Sequence, residues 1–348
     1  MTNIWFNQGF SGVRDALAMI AQGAGDRVRL IASHADPHAP VFDVADHGFL
    51  EPALKGDDYV DYCLDICREQ AVDLFVPQGG RKLIAARAQE FTNLGTQVAL
   101  VGSAKTLALV DDKARFYNVA VDAGIPMPWT REIADADGFD MALAELSARG
   151  LTACVKPPIG VFASGFWQLD PGRSLFSTLM DAEGHLIAPA AMRAAIVAEP
   201  QPVRLLMLEF LPGDEWSVDC VAQDGRLIVG VARRKFERAQ ALEVEGPVFD
   251  IAAQAIVTFG LSGLINVQCR AGSDPDDVRL LEVNTRMSGG CLYTRYAGVN
   301  LPWIHVALAL GWIEESDVPP PIGGAIVGPS AEARVIGNAP LALDIVDA

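Results

Sequence analysis

The stretch RLLEVNTRMSGG (279–290) alternates apolar and polar positions with period two. Leu281, Val283 and Thr285 fall on one face of a strand, and Glu282, Asn284 and Arg286 on the other. An acid, an amide and a base on one face of an apolar strand are costly to bury without partners. LINVQCR (264–270) repeats the pattern: Asn266, Gln268 and Arg270 share one face, and Ile265, Val267 and Cys269 the other. The intervening AGSDPDD (271–277) has turn chemistry. The two segments therefore predict an antiparallel hairpin. A register with Gln268 opposite Glu282 also sets Asn266 opposite Asn284. Both polar faces then coincide, with opposed Cβ atoms within roughly 5 Å.

Earlier in the chain the pattern alternates strand and helix. NIWF (3–6), RVRLIAS (27–33), VDLFVPQGG (72–80) and TQVALVG (96–102) read as strands. Helical spacing runs from the NQGFSG turn (7–12) to about Gln22, and over DYVDYCLDICREQ (58–70). This βαβ rhythm predicts a parallel, Rossmann-like sheet. The NQGFSG turn is not GxGxxG, and no acid follows a second strand at the right place, so a cofactor site is not expected there. A helix at about 104–123 ends at Gly124, and Pro126 and Pro128 forbid its return. Beyond this boundary LTACVKP (151–157), FWQL (166–169), LLMLEFL (205–211), a hairpin over 215–235 turning at QDGR (223–226), and the polar-faced pair predict antiparallel sheets.

The 348 residues allow two or three domains, and a hydrophobic content of 51% is ample for a core. The net charge of −17 should repel DNA, RNA and anionic membranes, while local basic residues can still hold a small anion. MTNIWFNQGF has no basic leader before an apolar core, and 299–313 is too short to span a bilayer, so a cytoplasmic protein is expected. The six cysteines mostly sit in apolar runs and read as reduced, structural thiols. The five histidines form no triad and have no metal-ligand spacing.

Gln268, Glu282 and Asn284 form a cluster of oxygen donors with few carboxylates. Such a set suits Mg2+, which keeps waters and shares phosphate oxygens. The competing reading is a buried polar network or a solvent-facing strand. Other segments supply what a nucleotide needs. Lys156 ends a strand before PPIGVFASG (157–165), where Gly160, Ser164 and Gly165 can lay backbone N–H groups over phosphates. Lys113 opens a helix in DDKARF. LEFLPGDEWSVD (208–219) offers Glu209 and the backbone near Phe210 and Leu211 to an adenine, and Glu215 to ribose hydroxyls. Singly these signals are weak, since lysines are usually solvated and a Gly/Ser loop is usually only a loop.

Together, DDKARFYNVAVDAGIPMPWT, CVKPPIGVFASG, LEFLPGDEWSVD, GLINVQCR and LLEVNTRMSGG resemble the ATP-grasp superfamily over about 105–312. The likeness is to the synthetase half of the carbamoyl-phosphate synthase large subunit and to carboxylate–amine ligases. GVNLPWIHVALALG (298–311) resembles the helix after the metal strand in that group. The resemblance implies a mixed α/β and α+β ATP-grasp fold. A Rossmann-like domain would span 1–105, a linker helix and lid 106–208, and a large subdomain with the metal site and C-terminal tail 209–348. It also implies that Lys113 and Lys156 contact ATP phosphates, with Ser164 and Gly165 in the phosphate loop. Glu209, Phe210 and Leu211 would lie at the adenine, and Glu215 at the ribose. Gln268, Glu282 and Asn284 would bind Mg2+, or Mn2+. Arg286 would lie beside the transferred phosphate. Arg233 would contact substrate or phosphate, with Arg234 and Lys235 as alternatives. Two departures stand out: the loop has fewer glycines than KPxxGxGGxG, with Phe162 at a usually small position, and Gln268 replaces a common acid.

The implied reaction is attack of a substrate carboxylate on the ATP γ-phosphate, giving an acyl phosphate and ADP, followed by attack of an amine or a thiol. The expected partners are a small carboxylic acid and an amine, and a homodimer is the expected assembly. Two other readings compete: a bicarbonate-using carboxylase or carbamoyl-phosphate enzyme, and a non-catalytic ATP-binding module.

Overall fold

The computed structural model describes residues 1–9, 12–160, 164–181 and 184–330. Its strands fall into three sheets. The first comprises β1 (Thr2–Asn7), β2 (Val28–His34), β3 (His47–Leu50), β4 (Leu74–Pro77) and β5 (Gln97–Val98), in the order β3-β2-β1-β4-β5. All its pairings are parallel. Ile4, Trp5, Leu74 and Phe75 are fully buried, as expected for central strands covered on both faces. The edge strand β3 alternates half-buried and exposed residues, so HGFL carries no strong apolar signal. The expected strand at 96–102 shortens to β5, after which only Ala99 still bonds Phe75 O, at 2.8 Å.

The second sheet holds β6 (Thr130–Ile133), β7 (Ala153–Lys156), β8 (Trp167–Leu169), β9 (Leu186–Ile187) and β10 (Leu205–Glu209), ordered β6-β10-β7-β8-β9. The third holds β11 (Glu215–Gln223), β12 (Arg226–Phe236), β13 (Ala239–Glu243), β14 (Gly263–Ala271), β15 (Val278–Asn284) and β16 (Ile326–Val327), ordered β15-β14-β11-β12-β13-β16 and antiparallel throughout. The β14–β15 register is the expected one, with Gln268 opposite Glu282 and Asn266 opposite Asn284. It shifts after Gln268, because Cys269 pairs with Leu280 and Leu281 becomes the extra residue of a bulge.

The helix Pro247–Phe259 buries Ala252, Ala255 and Ile256 in one core with Ile265, Val267 and Cys269, the apolar face of β14. The helix Leu301–Ala309 packs on the helix Gly12–Ala24 and on β14, so one hydrophobic cluster joins the first and third sheets. The single helix expected at 104–123 is two helices, Ala104–Asp111 and Lys113–Asp122. Asp112 separates them and caps the second, accepting from Ala114 N at 3.1 Å and Arg115 N at 3.3 Å. All six cysteines are free and buried. Among the described residues no helix is long and apolar enough to cross a membrane.

Candidate active site

The polar face of β14 and β15 floors a cleft of about 990 Å³, which adjoins a second cavity of about 250 Å³. Lys113, Gly160, Glu215, Gln268 and Glu282 line both. Gln268, Glu282 and Asn284 are half-buried and face the cleft, whereas Asn266 is fully buried beneath them. Asn284 Nδ2 donates to Glu282 Oε1 at 3.2 Å and to Asn266 Oδ1 at 3.3 Å, and Gln268 Nε2 donates to Asn266 Oδ1 at 3.4 Å. Asn266 Nδ2 in turn donates to Asp219 Oδ1 at 3.0 Å. One strand face thus combines three side chains open to the cleft with one buried amide that accepts from two of them.

Arg233 ends this network. Its Nε donates to Asp219 Oδ2 at 2.6 Å, Nη1 to Gln240 Oε1 at 2.6 Å, and Nη2 to Ser288 Oγ at 2.9 Å. A Cβ at Gly290 would overlap its guanidinium, so this position takes only glycine without displacing the arginine. Strand alternation separates the three basic residues of β12. Arg233 and Lys235 line the cleft, while Arg234 pairs with Glu243 at 2.7 Å and Asp214 at 3.2 Å. Lys235 is ion-paired with Glu215, which also lies 3.7 Å from Arg270 Nη1.

Two lysines stand over the floor. Lys113 Nζ donates to Gly160 O at 2.9 Å and lies 3.9 Å from Glu282 Oε2. Lys156 Nζ donates to Tyr117 Oη at 2.8 Å, and Tyr117 Oη donates to Leu281 O at 2.8 Å. The β15 bulge thereby exposes a carbonyl that fixes the tyrosine under the lysine. Burial lowers both ammonium pKa values, while the Glu282 carboxylate pulls both back up.

The smaller cavity is walled by Cys154, Phe166, Leu208, Glu209, Phe210 and Leu211. The Glu209 carboxylate is engaged, ion-paired with Arg279 and accepting from Trp129 N at 3.3 Å. Phe210 N donates to Thr152 O at 2.8 Å, and Arg270 stacks over the Phe210 ring at 5.4 Å. Ser164 lines the same cavity, and Gly165 has φ +75°, a conformation that favours glycine. Phe162 lies outside the described residues.

Arg286 is half-buried in the larger cleft and donates to Met287 O at 3.4 Å. Burial lowers its pKa, and Glu282 and Asp111 oppose the shift. Sequence reasoning missed Arg81, which follows β4 and reaches the third sheet, where Nη1 donates to Thr285 O and, at 2.8 Å, to Thr285 Oγ1. It also missed Asp219, an acid inside a long apolar strand. Period two places Asp219 on one face of β11 with Ser217, a signal that could have been read.

Among the described residues no group of three or more His, Cys, Asp or Glu side chains is placed to hold a metal ion. The donor set at β14–β15 is one carboxylate and two amides. These are hard oxygen ligands of low charge, which fit Mg2+ completed by phosphate oxygens and water and do not make an all-protein cage.

Residues 201–332 match a family model described as ATP-grasp in the biosynthetic pathway with Ter operon, and residues 10–99 match the PylC-like N-terminal domain. The chain carries the ATP-grasp fold. Several solved structures agree in shape over most of the chain. An ADP complex of N5-carboxyaminoimidazole ribonucleotide synthetase is 15% identical with a TM-score of 0.65, over 93% of this chain and 78% of that one. An L-amino acid ligase from Bacillus licheniformis is 12% identical with a TM-score of 0.62, over 92% and 78%. A biotin carboxylase–β,γ-ATP complex from Campylobacter jejuni is 15% identical with a TM-score of 0.62, over 91% and 73%. No curated protein matches the sequence.

Proposed function

We propose that this chain is an ATP-dependent, ADP-forming ligase that activates a small substrate carboxylate as an acyl phosphate and joins it to an amine or a thiol. One observation carries the reading. Lys113, Gln268 and Glu282 line both the apolar cavity and the larger cleft, so a ligand with a flat apolar end and a polyanionic tail has one continuous seat.

In this reading the backbone around Phe210 and Leu211 meets the base, because the Glu209 carboxylate is already paired with Arg279. Lys113 and Lys156 neutralise phosphate charge, and Glu215 lies at the ribose. Gln268, Glu282 and Asn284 would hold Mg2+, which would supply charge neutralisation at the phosphates. Arg286 stabilises charge on the transferred group, and the buried Arg233 holds Ser288 and Gln240 in place beneath the acid. The Rossmann-like unit (1–105) and the large subdomain then face each other across the acid site, with the lid (106–208) over the nucleotide; of the large subdomain (209–348), the C-terminal tail from 331 on lies outside the described residues.

Incubation with ATP, Mg2+, a pool of carboxylic acids and hydroxylamine tests the proposal. Hydroxamates should form together with ADP. Formation of AMP and pyrophosphate would place the enzyme in an adenylating class and overturn the mechanism. ADP release that requires bicarbonate and no other acid would favour the carboxylase reading, and absence of any ATP turnover the non-catalytic one.

A further inference from the structure

We propose that Arg81 binds a second anionic group of the acid substrate, a carboxylate or a phosphate, distinct from the carboxylate that reacts. The inference rests on the ligase reading and narrows its substrate class to acids that carry at least two anionic groups.

Arg81 sits where a parallel sheet leaves room for a ligand. In the order β3-β2-β1-β4-β5 the chain runs outward from β1 to β3, then returns on the other side of β1 with β4. The crevice between β1 and β4 lies beyond their carboxyl ends, at Gln8 and at Gln78–Arg81, a place that ligands favour in such sheets.

The segment that presents Arg81 is held by a buried scaffold. Asn7, fully buried, accepts from Gln78 N at 2.7 Å and from Gly79 N at 3.3 Å. Its amide donates to Tyr59 Oη at 2.6 Å, and Tyr59 donates to Glu51 Oε2 at 2.9 Å. Glu51, only 6% exposed, also accepts from Ser33 Oγ and from Gln8 Nε2, each at 2.6 Å. A side chain at Gly79 would meet Gln8 Cβ at 2.7 Å, and Gly80 has φ +67°. A buried carboxylate, an amide and two glycines therefore fix the arginine's origin, while Thr285 fixes its far end. A merely solvated arginine needs no such support.

The charge around Arg81 is unbalanced. Its hydrogen bonds go to neutral oxygens of Thr285, the neighbour of Arg286, which lines the same cleft. Asp111 is the carboxylate that acts on Arg81; it also acts on Arg286 and is paired with Lys82 at 3.1 Å. Glu282, the other acid acting on Arg286, is shared with Lys113 and Lys156. Cations thus outnumber acids along the cleft, in a chain of net charge −17. Two guanidinium groups held together in a partly desolvated crevice repel each other, and an anion seated beside them offsets that repulsion. Arginine is suited to carboxylate and phosphate alike through its planar fork of donors.

The test is calorimetric binding to the full chain in the presence of Mg2+ and a nonhydrolysable ATP analogue. Succinate, glutarate and 3-phosphonopropionate are compared with butyrate and valerate. At least one dianion should bind about tenfold tighter than its monoanionic counterpart, and Arg81→Gln should remove that preference. Arg81→Lys, which keeps the charge but not the fork, should retain part of it. A better ligand among the carboxylates than the phosphonate, or the reverse, identifies the second group. Equal binding of all five acids by the wild type would overturn the proposal. A preference that survives in an Arg81→Gln protein that still binds the ATP analogue would do the same. If the preference appears and depends on Arg81 while no acid supports ADP and hydroxamate formation, the anion site stands and the ligase reading falls. Turnover of monoanions and dianions alike would leave the ligase reading standing and remove this one.

Discussion

Asp219 accepts from Arg233 across 2.6 Å, with both side chains almost wholly buried. The other oxygen of Asp219 holds Asn266, which in turn holds Asn284 and Gln268. The cleft floor therefore hangs on one buried ion pair. Removing one partner of such a pair leaves an uncompensated charge, a loss of about 3–5 kcal/mol. Asp219→Ala should destabilise the protein by that amount in urea unfolding. A loss well under about 1 kcal/mol would mean that solvent reaches the arginine.

Lys156→Ala should weaken ATP binding more than adenosine binding, because an ammonium that neutralises phosphate does little for an uncharged nucleoside. Tyr117→Phe, which removes the hydroxyl that accepts from Lys156, should act in the same direction with smaller effect. Calorimetry on both ligands separates the cases, and equal losses for the two would assign Lys156 to the fold alone.

The same lysines predict a pH limit. Burial holds Lys113 and Lys156 below the ordinary value of 10.5. The charged form is lost as pH rises, and the depressed pKa brings that loss to lower pH. Affinity for an ATP analogue should fall on the alkaline side before ordinary lysines titrate, with adenosine affinity unchanged. An ATP affinity flat to pH 10.5 would remove both lysines from the phosphate site.

Glu282→Gln removes the one carboxylate of the donor set and the partner that offsets Lys113 at 3.9 Å. It should abolish ADP and hydroxamate formation by at least about 100-fold while circular dichroism stays unchanged. Full activity in this variant would make the polar face a structural network only.

His305 packs on Gly263, and burial pushes its pKa down to about 4 from 6.5. The unfolded chain therefore binds the proton more readily than the folded one. Its contribution to stability is complete above pH 6.5 and is lost as pH falls toward 4. Because the residue as a whole is only half-buried, the loss is discounted to roughly 2 kcal/mol. His305→Gln should flatten the fall in urea midpoint between pH 7 and pH 4.5, and an unchanged slope would assign the acid limb to other groups.

The polar-faced hairpin is legible in the residue pattern because its information is local. Period two assigns each residue of β14 and β15 to a face, and only one register lets Gln268 meet Glu282 while Asn266 meets Asn284. The parallel sheet is legible for the same reason, from apolar runs such as IWF and LFV. Edge strands β3, β6 and β16 are not, since half-exposed edges carry little pattern. Sequence could place Asn266 on the polar face with Gln268. Only the packing of β14 between β11 and β15 decided that Asn266 is buried against Asp219 while Gln268 opens to the cleft. That Arg233 and Lys235 line the cleft while Arg234 does not required knowing which face of β12 meets it. Arg81 and Thr285 lie 204 positions apart, and no local pattern links an arginine after one sheet to a threonine closing another. Residue spacing determined which side chains can share a strand face; the packing of three sheets decided which of those faces bounds a cleft.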